Sequence, residues 1–273
     1  MKPEGRAAGA RQYVDGLAAS GRYHFGLTDA REALGVSLSA AKVALNRLAK
    51  QGVVATPARA FYVVVPPEYR SLGCLPADQF IPALMTTLGL RYYAGLLTAA
   101  QYHGAAHQRP QQFQVLLERA RLPIACGKVR VAFMTRKRLP EVSLVSVNTP
   151  RGTLLVSSVE ATAVDLVGYP QRSGGLNNVA TVLSELAGKI DPDRLVVAAA
   201  TAPVPWAQRL GYLLDLVGTG EETTLLKNYV RQKAHESAPL LSNASRQRGA
   251  RRQHMRRSED WKLHINTDVE PEL

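Results

Sequence analysis

The stretch that decides the fold is TDAREALGVSLSAAKVALNRLAKQGVVATPARAFYVVV, residues 28–65. Its pattern predicts a helix, a short turn, a second helix and then a two-stranded hairpin. Thr28 or Asp29 can cap the first helix, and Gly35 suits its C-terminus because glycine readily adopts positive φ. Two helices therefore meet at a turn formed by residues 35–37.

The second helix is predicted over residues 38–51, and it has one apolar and one polar face. At 100° per residue, the apolar stripe consists of Ala41, Ala44, Leu45 and Leu48. The opposite face carries cations and no acid, and it consists of Ser39, Lys42, Val43, Asn46 and Lys50, with Arg47 on its flank. The cations of such a face would attract the phosphates of a DNA duplex. Ser39 and Asn46 are short enough to reach base edges.

The residues around this pair of helices complete the pattern. Residues 53–56 and 61–65 read as strands, with Pro57–Ala60 as the tip that carries Arg59. A further helix is predicted over residues 9–20 and a short strand over residues 22–25. The order predicts a winged helix-turn-helix DNA-binding domain over residues 1–68. The alternative for the second helix is an ordinary solvated surface helix, which is the commoner case for any single helix.

Charge supports a polyanionic partner. The 273 residues carry a formal net charge of +12, and residues 1–65 hold nine Lys or Arg against four acids. A second basic block, RQRGARRQHMRR at residues 246–257, contributes six Arg and no acid. Nucleic acid is favoured over a membrane because no basic helix has a large apolar face. For the 246–257 block, a role in binding and a solubilising loop remain equally open.

The remaining composition bounds the class of protein. Cys74 and Cys126 are far apart in the sequence and lack partners at metal-ligand spacing, so neither a disulfide framework nor a zinc site is expected. The N-terminus has no secretory apolar core, and no stretch of about 18 apolar residues exists. We therefore expect a cytoplasmic protein.

A connector rich in proline is predicted between residues 66 and 76, and a larger α+β domain over residues 77–273. Helices are predicted near residues 78–88 and 92–101, and strands over 112–118, 129–134, 142–147 and 152–157. Further helices are predicted after Ser158 and over residues 176–187, 192–200, 206–216 and 222–234. Trp261, Leu263 and Ile265 alternate with polar residues, which predicts a half-buried strand near the C-terminus.

Three phrases carry a resemblance to a known family: LLTAAQYHGA at 96–105, SVEATAVDLV at 158–167 and WKLHINTDVE at 261–270. With the N-terminal winged helix, their order resembles the AbiEi family of antitoxins, of type IV toxin-antitoxin systems. The resemblance implies a protein that represses its own operon by binding inverted repeats and counteracts a nucleotidyltransferase toxin. Whether the toxin is bound directly is left open.

The resemblance carries over to recognition-helix and wing positions only. These are Ser39, Lys42, Asn46, Arg47, Lys50 and Arg59. Two copies should occupy an inverted repeat, and with no coiled-coil heptads in the chain we expect a monomer in solution that can pair cooperatively on DNA. No cofactor or metal is expected.

Candidate catalytic residues are few. His103 and His107 lie four apart, but no Glu completes a zinc-protease motif, and histidines after a helix end are the favoured explanation. The acidic pairs Glu160 with Asp165 and Asp191 with Asp193 suggest Mg²⁺ binding in a nuclease, although helix capping accounts for them better. We therefore predict no catalytic activity. Two alternatives remain: a metal-dependent nuclease targeted by the winged helix, and a ligand-sensing transcriptional regulator.

Overall fold

A computed structural model describes residues 3–105, 110–218, 223–242 and 256–271, with only the backbone for residues 3–8. The chain divides by its contacts into two compact units. Unit 1 consists of Met1–Tyr92, Gln111–Thr135 and Ser146–Leu155, and unit 2 of Tyr93–Pro110, Arg136–Val145 and Val156–Leu273. Both units mix helices and strands, which confirms the predicted α+β class.

The N-terminal part of unit 1 has the element order predicted from the sequence. It contains α1 (Pro3–Ala19), β1 (His24–Gly26), α2 (Leu27–Leu34), α3 (Leu38–Lys50), β2 (Val54–Ala58) and β3 (Phe61–Val64). The three strands form an antiparallel sheet in the order β1-β3-β2, with Phe25 opposite Tyr62 and Val54 opposite Val64. This is the layout of a three-helix core with a wing.

One apolar cluster holds these elements together. Leu45 and Leu48 of α3 pack with Phe25, Val54 and Tyr62 of the sheet, and all five are buried. Phe25 stacks on Tyr62 with ring centroids 5.5 Å apart. Burying an aliphatic or aromatic side chain of this size contributes about 1.5–3 kcal/mol, so the apolar stripe of α3 fixes which face of that helix is left to solvent.

The ends of the two central helices agree with the prediction in part. Gly35 has φ 59° and ψ 35° and ends α2 as expected, and Ser37 caps α3 by accepting from the Ala40 N–H at 3.2 Å. The predicted start of α2 at Thr28 or Asp29 was wrong, because the cap is Gly26. Asp29 instead lies in the first turn, where its carboxylate accepts from the Gly26 N–H at 3.1 Å.

The wing is tighter than predicted. Strand β2 continues through Ala58 after an irregularity between Ala55 and Ala58, so only Arg59 and Ala60 form the tip rather than Pro57–Ala60. Ala60 has φ 59°, a left-handed conformation that is uncommon for a residue with a Cβ. Its carbonyl accepts from the Leu27 N–H at 3.2 Å, which ties the tip to the start of α2.

The rest of unit 1 adds one helix and more strands. It contains a 3-10 turn at Pro67–Tyr69, α4 (Ala77–Leu88), β5 (Phe113–Leu117), β6 (Ile124–Cys126) and β7 (Val129–Thr135). Strand β7 pairs parallel with β5 and antiparallel with β6. Strand β6 was not predicted. Strands β4 (Tyr92–Ala94), β8 (Leu144–Thr149) and β9 (Gly152–Ser157) each contain a point at which the chain passes from one unit to the other.

Residues 92–101 form a strand and a helix, which corrects the prediction of a continuous helix. Strand β4 is followed by α5 (Leu96–Tyr102), and Ala94 pairs with Val156 of β9 in parallel. Leu96 is fully buried with φ 54°, so the chain turns sharply between the two elements. Apolar residues without proline in so short a run do not distinguish strand from helix by periodicity.

Unit 2 is mostly helical. Its helices after α5 are α6 (Val159–Gly168), α7 (Gly175–Ala187), α8 (Pro192–Ala200), α9 (Val204–Leu216) and α10 (Thr224–Lys233). Ser158 caps α6 by accepting from the Ala161 N–H at 3.2 Å, as the sequence predicts. Helix packing is close: a Cβ added at Gly168 would lie 2.3 Å from Trp206.

The C-terminal strand predicted near Trp261 is present. Strand β12 (Leu263–Ile265) lies between β10 (Ala238–Pro239) and β11 (Arg256–Ser258). Trp261 and Leu263 are buried, and the Trp261 indole N–H donates to Asp215 at 2.7 Å. Of the basic block at 246–257, residues 246–255 lie outside the described residues.

The contact division differs from the predicted domain boundary at residues 66–76. Unit 1 includes residues after this point, and among them Arg151 lies 3.3 Å from the centroid of the Tyr23 ring and donates to Gln79 at 2.7 Å. The Lys128 N–H also donates to the Leu72 carbonyl at 2.7 Å. Domains at 1–68 and 77–273 therefore stay a prediction about independent folding.

Candidate nucleic-acid interface

Helix α3 exposes the face that the sequence predicts. Ala41, Leu45 and Leu48 are buried and Ala44 is half-buried, which matches the predicted apolar stripe. Every predicted contact residue of the helix is exposed: Ser39, Lys42, Asn46, Arg47 and Lys50, together with Val43. Val43 is 51% exposed, and it lies among these polar groups.

The N-terminal half of α3 and the wing enclose a groove of about 820 Å³. Its lining consists of Leu27, Thr28, Ser37, Leu38, Ser39, Lys42, Arg59, Ala60 and Tyr62. The fold therefore brings the wing residue Arg59 to the same groove as Ser39 and Lys42. Asn46, Arg47 and Lys50 are not part of this lining, since they continue along α3 towards its C-terminus.

The groove is electropositive for two reasons. Lys42 and Arg59 carry its formal charges, and none of the nine lining residues, all of them described, is acidic. Helix α3 also begins there at Ser37, and the N-terminus of a helix carries a partial positive charge with free N–H groups. The Ser37 and Ser39 hydroxyl oxygens lie 3.0 Å apart and can still bond to a ligand oxygen. The arrangement suits a phosphate backbone.

Aromatic rings of β1 and β3 pack together in the sheet that carries the wing. His24 of β1 stacks on Phe61 of β3 with centroids 5.9 Å apart. Burial lowers the pKa of His24 below its usual value of 6.5, and the nearby Arg22 acts in the same direction. The His24 ring is therefore held in its neutral form over more of the pH range, and it packs as an apolar group.

The predicted acidic pairs prove to have different roles. Asp191 caps α8 by accepting from the Arg194 N–H at 3.0 Å, which confirms the capping prediction for this residue. Glu160 accepts from the Ser158 hydroxyl at 2.8 Å and from the Asp191 N–H at 3.3 Å. Asp193 lies in the first turn of α8. For Asp165 the capping explanation was wrong, because it lies in the middle of α6 and is fully buried.

Asp165 belongs to a sealed cluster in unit 2. It accepts from the Tyr93 hydroxyl at 2.7 Å and from Arg136 Nε at 2.9 Å. Arg136 is 2% exposed, donates to the Thr201 carbonyl and hydroxyl at 3.0 Å each, and lies 5.0 Å from the Trp206 ring centroid. Burial raises the pKa of Asp165, while Arg136 and Tyr93 oppose that rise.

The cluster has the features of a structural ion pair rather than a reaction centre. Burial and the adjacent Asp165 both raise the pKa of Tyr93, so the phenol keeps its proton and donates. The Arg136 guanidinium also donates to the Lys137 carbonyl at 3.0 Å. Sequence reasoning missed this cluster, although a single acid inside the apolar run TAVDLV is a signal that a buried partner exists.

The predicted histidine pair is not resolved as a pair, since His107 lies outside the described residues. His103 is within 2.7 Å of the Ser157 carbonyl through Nε2, and its own carbonyl accepts from the Lys189 ammonium. In the described part of the chain, no group of three or more His, Cys, Asp or Glu side chains is placed to bind a metal ion.

Comparison with known proteins identifies part of the chain. Residues 93–216 match the model of the AbiEi antitoxin C-terminal domain. The matched segment is somewhat less than half of the chain, and it is similar to that domain.

A solved structure supports the fold of this chain over nearly its whole length. The crystal structure of RV2827C protein from Mycobacterium tuberculosis superposes with a TM-score of 0.65 and 18% identity, covering 94% of this chain and 91% of that chain. At this identity the likeness extends to the fold alone. None of the curated proteins compared with the chain matches it. Within the described residues, no helix combines the length and apolar character needed to cross a bilayer.

Proposed function

We propose that this chain is an antitoxin that binds double-stranded DNA through α3 and the wing, and that it represses its own operon at inverted repeats. The observation that carries the proposal is the groove that unites Ser39, Lys42 and Arg59 beside a helix N-terminus. Helix α3 would enter the major groove, with Lys42, Lys50 and Arg59 on phosphates and Ser39 and Asn46 at base edges. Arg47 would reach the flanking backbone.

The antitoxin would counteract a nucleotidyltransferase-type toxin of the same operon, as a type IV system does. It would do so without catalysis and without a cofactor, in the cytoplasm. A monomer in solution, pairing cooperatively on the two half-sites of a repeat, accounts for binding without a coiled-coil dimer. Its partners are therefore the operator DNA and, functionally, the toxin.

Binding to DNA is tested by titrating fluorescent duplex from the region upstream of the gene against a scrambled duplex of equal length. We expect tight binding to the first duplex only. Affinity should fall with salt at a logarithmic slope of roughly −3 to −5 for a monomer, about 0.9 for each phosphate contact. A slope near zero would contradict the electrostatic argument, and equal weak binding to both duplexes would remove the repressor function.

The same titration separates the competing functions. Incubation of the bound duplex with Mg²⁺ should leave it intact, because the proposal assigns no hydrolysis to the chain. Metal-dependent cleavage would instead establish a nuclease. Co-expression with the adjacent toxin gene tests the antitoxin activity separately, and rescue of growth should persist in a Lys42→Ala variant if neutralisation does not need DNA binding.

A further inference from the structure

The two cysteines of the chain meet inside unit 1, contrary to the expectation from their sequence separation. Cys74 follows the 3-10 turn, Cys126 ends β6, and a hydrogen bond joins their sulfur atoms. Both are free thiols and both are buried, Cys74 completely and Cys126 with 8% of its surface exposed. These are the only cysteines in the sequence, so any internal disulfide must join them.

The backbone beside each thiol holds the pair together. A Cβ added at Gly127 would lie 2.3 Å from the Leu72 carbonyl oxygen and 2.8 Å from Gly73 Cα. The Lys128 N–H donates to that same Leu72 oxygen at 2.7 Å. The residues adjacent to Cys74 and Cys126 therefore approach closely, as the short Cα separation of a disulfide requires.

The Cys126 sulfur also contacts the wing. It accepts a hydrogen bond from the backbone N–H of Thr56, and Thr56 lies in β2, the strand that leads to Arg59. Strand β6 packs against β2 in the same unit. The chemical state of Cys126 is therefore coupled directly to a strand of the candidate DNA interface.

The two thiols differ in acidity. The hydrogen bond from Cys74 lowers the pKa of Cys126, and the Thr56 N–H and the Arg130 charge act in the same direction. The hydrogen bond to Cys126 and burial raise the pKa of Cys74. A thiolate is the reactive form of cysteine, so Cys126 is the attacking group and Cys74 the resolving one.

We propose that Cys74 and Cys126 form a redox-modification site that hydrogen peroxide converts to an internal disulfide, and that this conversion weakens DNA binding through β2. The Cys126 thiolate attacks one peroxide oxygen and the O–O bond breaks. Hydroxide is the leaving group, and Cys126 becomes a sulfenic acid. The Cys74 sulfur loses its proton and attacks the sulfenic sulfur, and the S–O bond breaks as a second hydroxide leaves. With the released protons, one peroxide is reduced to two waters and two thiols are oxidised.

The effect on the wing follows from the hydrogen bond that is weakened. Disulfide formation shortens the distance between the sulfur atoms to about 2.05 Å. A disulfide sulfur carries no charge, so it accepts the Thr56 N–H more weakly than a thiolate does. The DNA-binding half of this inference depends on the proposed function. We expect a measurable loss of affinity of at most roughly tenfold, because the strength of one internal hydrogen bond limits what its weakening can cost DNA binding.

The test uses the full chain, reduced and then treated with hydrogen peroxide, with Cys74→Ala and Cys126→Ala as matched controls. Free thiols are counted after denaturation, intact mass is measured, and amide hydrogen exchange is followed in residues 54–58. We expect two thiols to disappear, a mass lower by two hydrogen atoms, and faster exchange at Thr56. DNA titration of the same samples should show that peroxide weakens binding by the wild-type chain and leaves binding by the Cys126→Ala chain, which lacks the Thr56 bond before and after treatment, unchanged.

Two titratable thiols remaining after peroxide would overturn the site, whatever the DNA result. A disulfide with unchanged exchange in 54–58 and unchanged affinity would overturn the coupling to the wing. If oxidation weakens binding equally in both single variants, another group is responsible and the proposal fails. If the reduced chain binds no DNA, the proposed function fails, while the thiol count still decides whether the site exists.

Discussion

Two regions of this molecule differ in how their positive charges are exposed and paired. In the α3–wing groove, Arg59 and Lys42 face solvent and the lining supplies no acid. In the Tyr93–Asp165–Arg136 cluster, the cation is 2% exposed and paired with a carboxylate at 2.9 Å. The first region leaves its positive charge available to a polyanion, and the second neutralises it internally.

The contrast between exposed and buried cations indicates which residues bind a ligand and which stabilise the fold. An exposed cation without an internal partner lowers the free energy of unfolding very little, and it adds to the binding energy when a polyanion is bound. A buried cation must be paired, because removing an ion from water is expensive. Damage to the cluster should therefore appear in stability, and damage to the groove in binding.

The largest expected effect is on the buried pair. Asp165→Ala leaves the Arg136 charge buried without its partner, which should lower the free energy of unfolding by about 3–5 kcal/mol in urea or guanidinium denaturation. The exposed Asp15, paired with Arg11 on the surface, is the matched control, and Asp15→Ala should cost less than about 1 kcal/mol. Equal losses in both variants would contradict the distinction.

A double variant sharpens this test. Asp165→Leu combined with Arg136→Met removes both charges and keeps side chains of similar volume, so it should recover much of the loss. Where these variants remain folded, their affinity for operator DNA should equal that of the wild type. A specific loss of DNA binding would mean that the cluster does more than stabilise unit 2.

The second prediction concerns packing. A Cβ at Gly211 would lie 2.0 Å from Trp261 Cζ3, and the buried Trp261 ring is held by Asp215, so Gly211→Ala should destabilise by about 1–3 kcal/mol. Gly16 in α1 has no atom within 4 Å of the added Cβ. Gly16→Ala should stabilise by up to about 1 kcal/mol through helix propensity. Thermal unfolding of both variants measures the contrast.

The third prediction separates two roles within the groove and along α3. Lys42→Ala should weaken binding to all duplexes alike and reduce the salt slope by about 0.9, since a phosphate contact carries no sequence information. Asn46→Ala should instead relax base preference by about 1–3 kcal/mol at one position. Lys233→Ala, an exposed cation on α10, serves as a control for net charge. Unchanged binding in the first two variants would remove α3 from the interface.

The smallest expected effect is a pH dependence from His24. Its folded pKa is depressed, so below the unfolded value of 6.5 the unfolded chain takes the proton first. The free energy of unfolding should fall as pH drops through 6.5 and level off below the folded pKa. The change should stay below about 1 kcal/mol because the ring is only half-buried. Denaturation of wild type and His24→Gln at pH 5 and pH 8 should show the dependence in the wild type alone.

Local patterns predicted much of the fold correctly. The 3.6-residue periodicity of α3, the left-handed end at Gly35 and the Asp191 cap of α8 are set by residues a few positions apart, and each has the predicted form. Strand β6 and the strand–helix switch at residues 92–96 were missed because they are short and apolar. In such segments the neighbouring strand, rather than the sequence pattern, decides the conformation.

By itself, the sequence determined that a basic helix with an apolar back face stands before a hairpin, and it carried the resemblance to the AbiEi family. Only the tertiary structure decided that Arg59 lies at one groove with Lys42, that Asp165 is neutralised by Arg136, and that Cys74 meets Cys126. These features differ in how far apart in the sequence the interacting residues lie. Helix faces and caps depend on nearby residues, whereas charge pairing and thiol contact depend on which distant segments the core brings together.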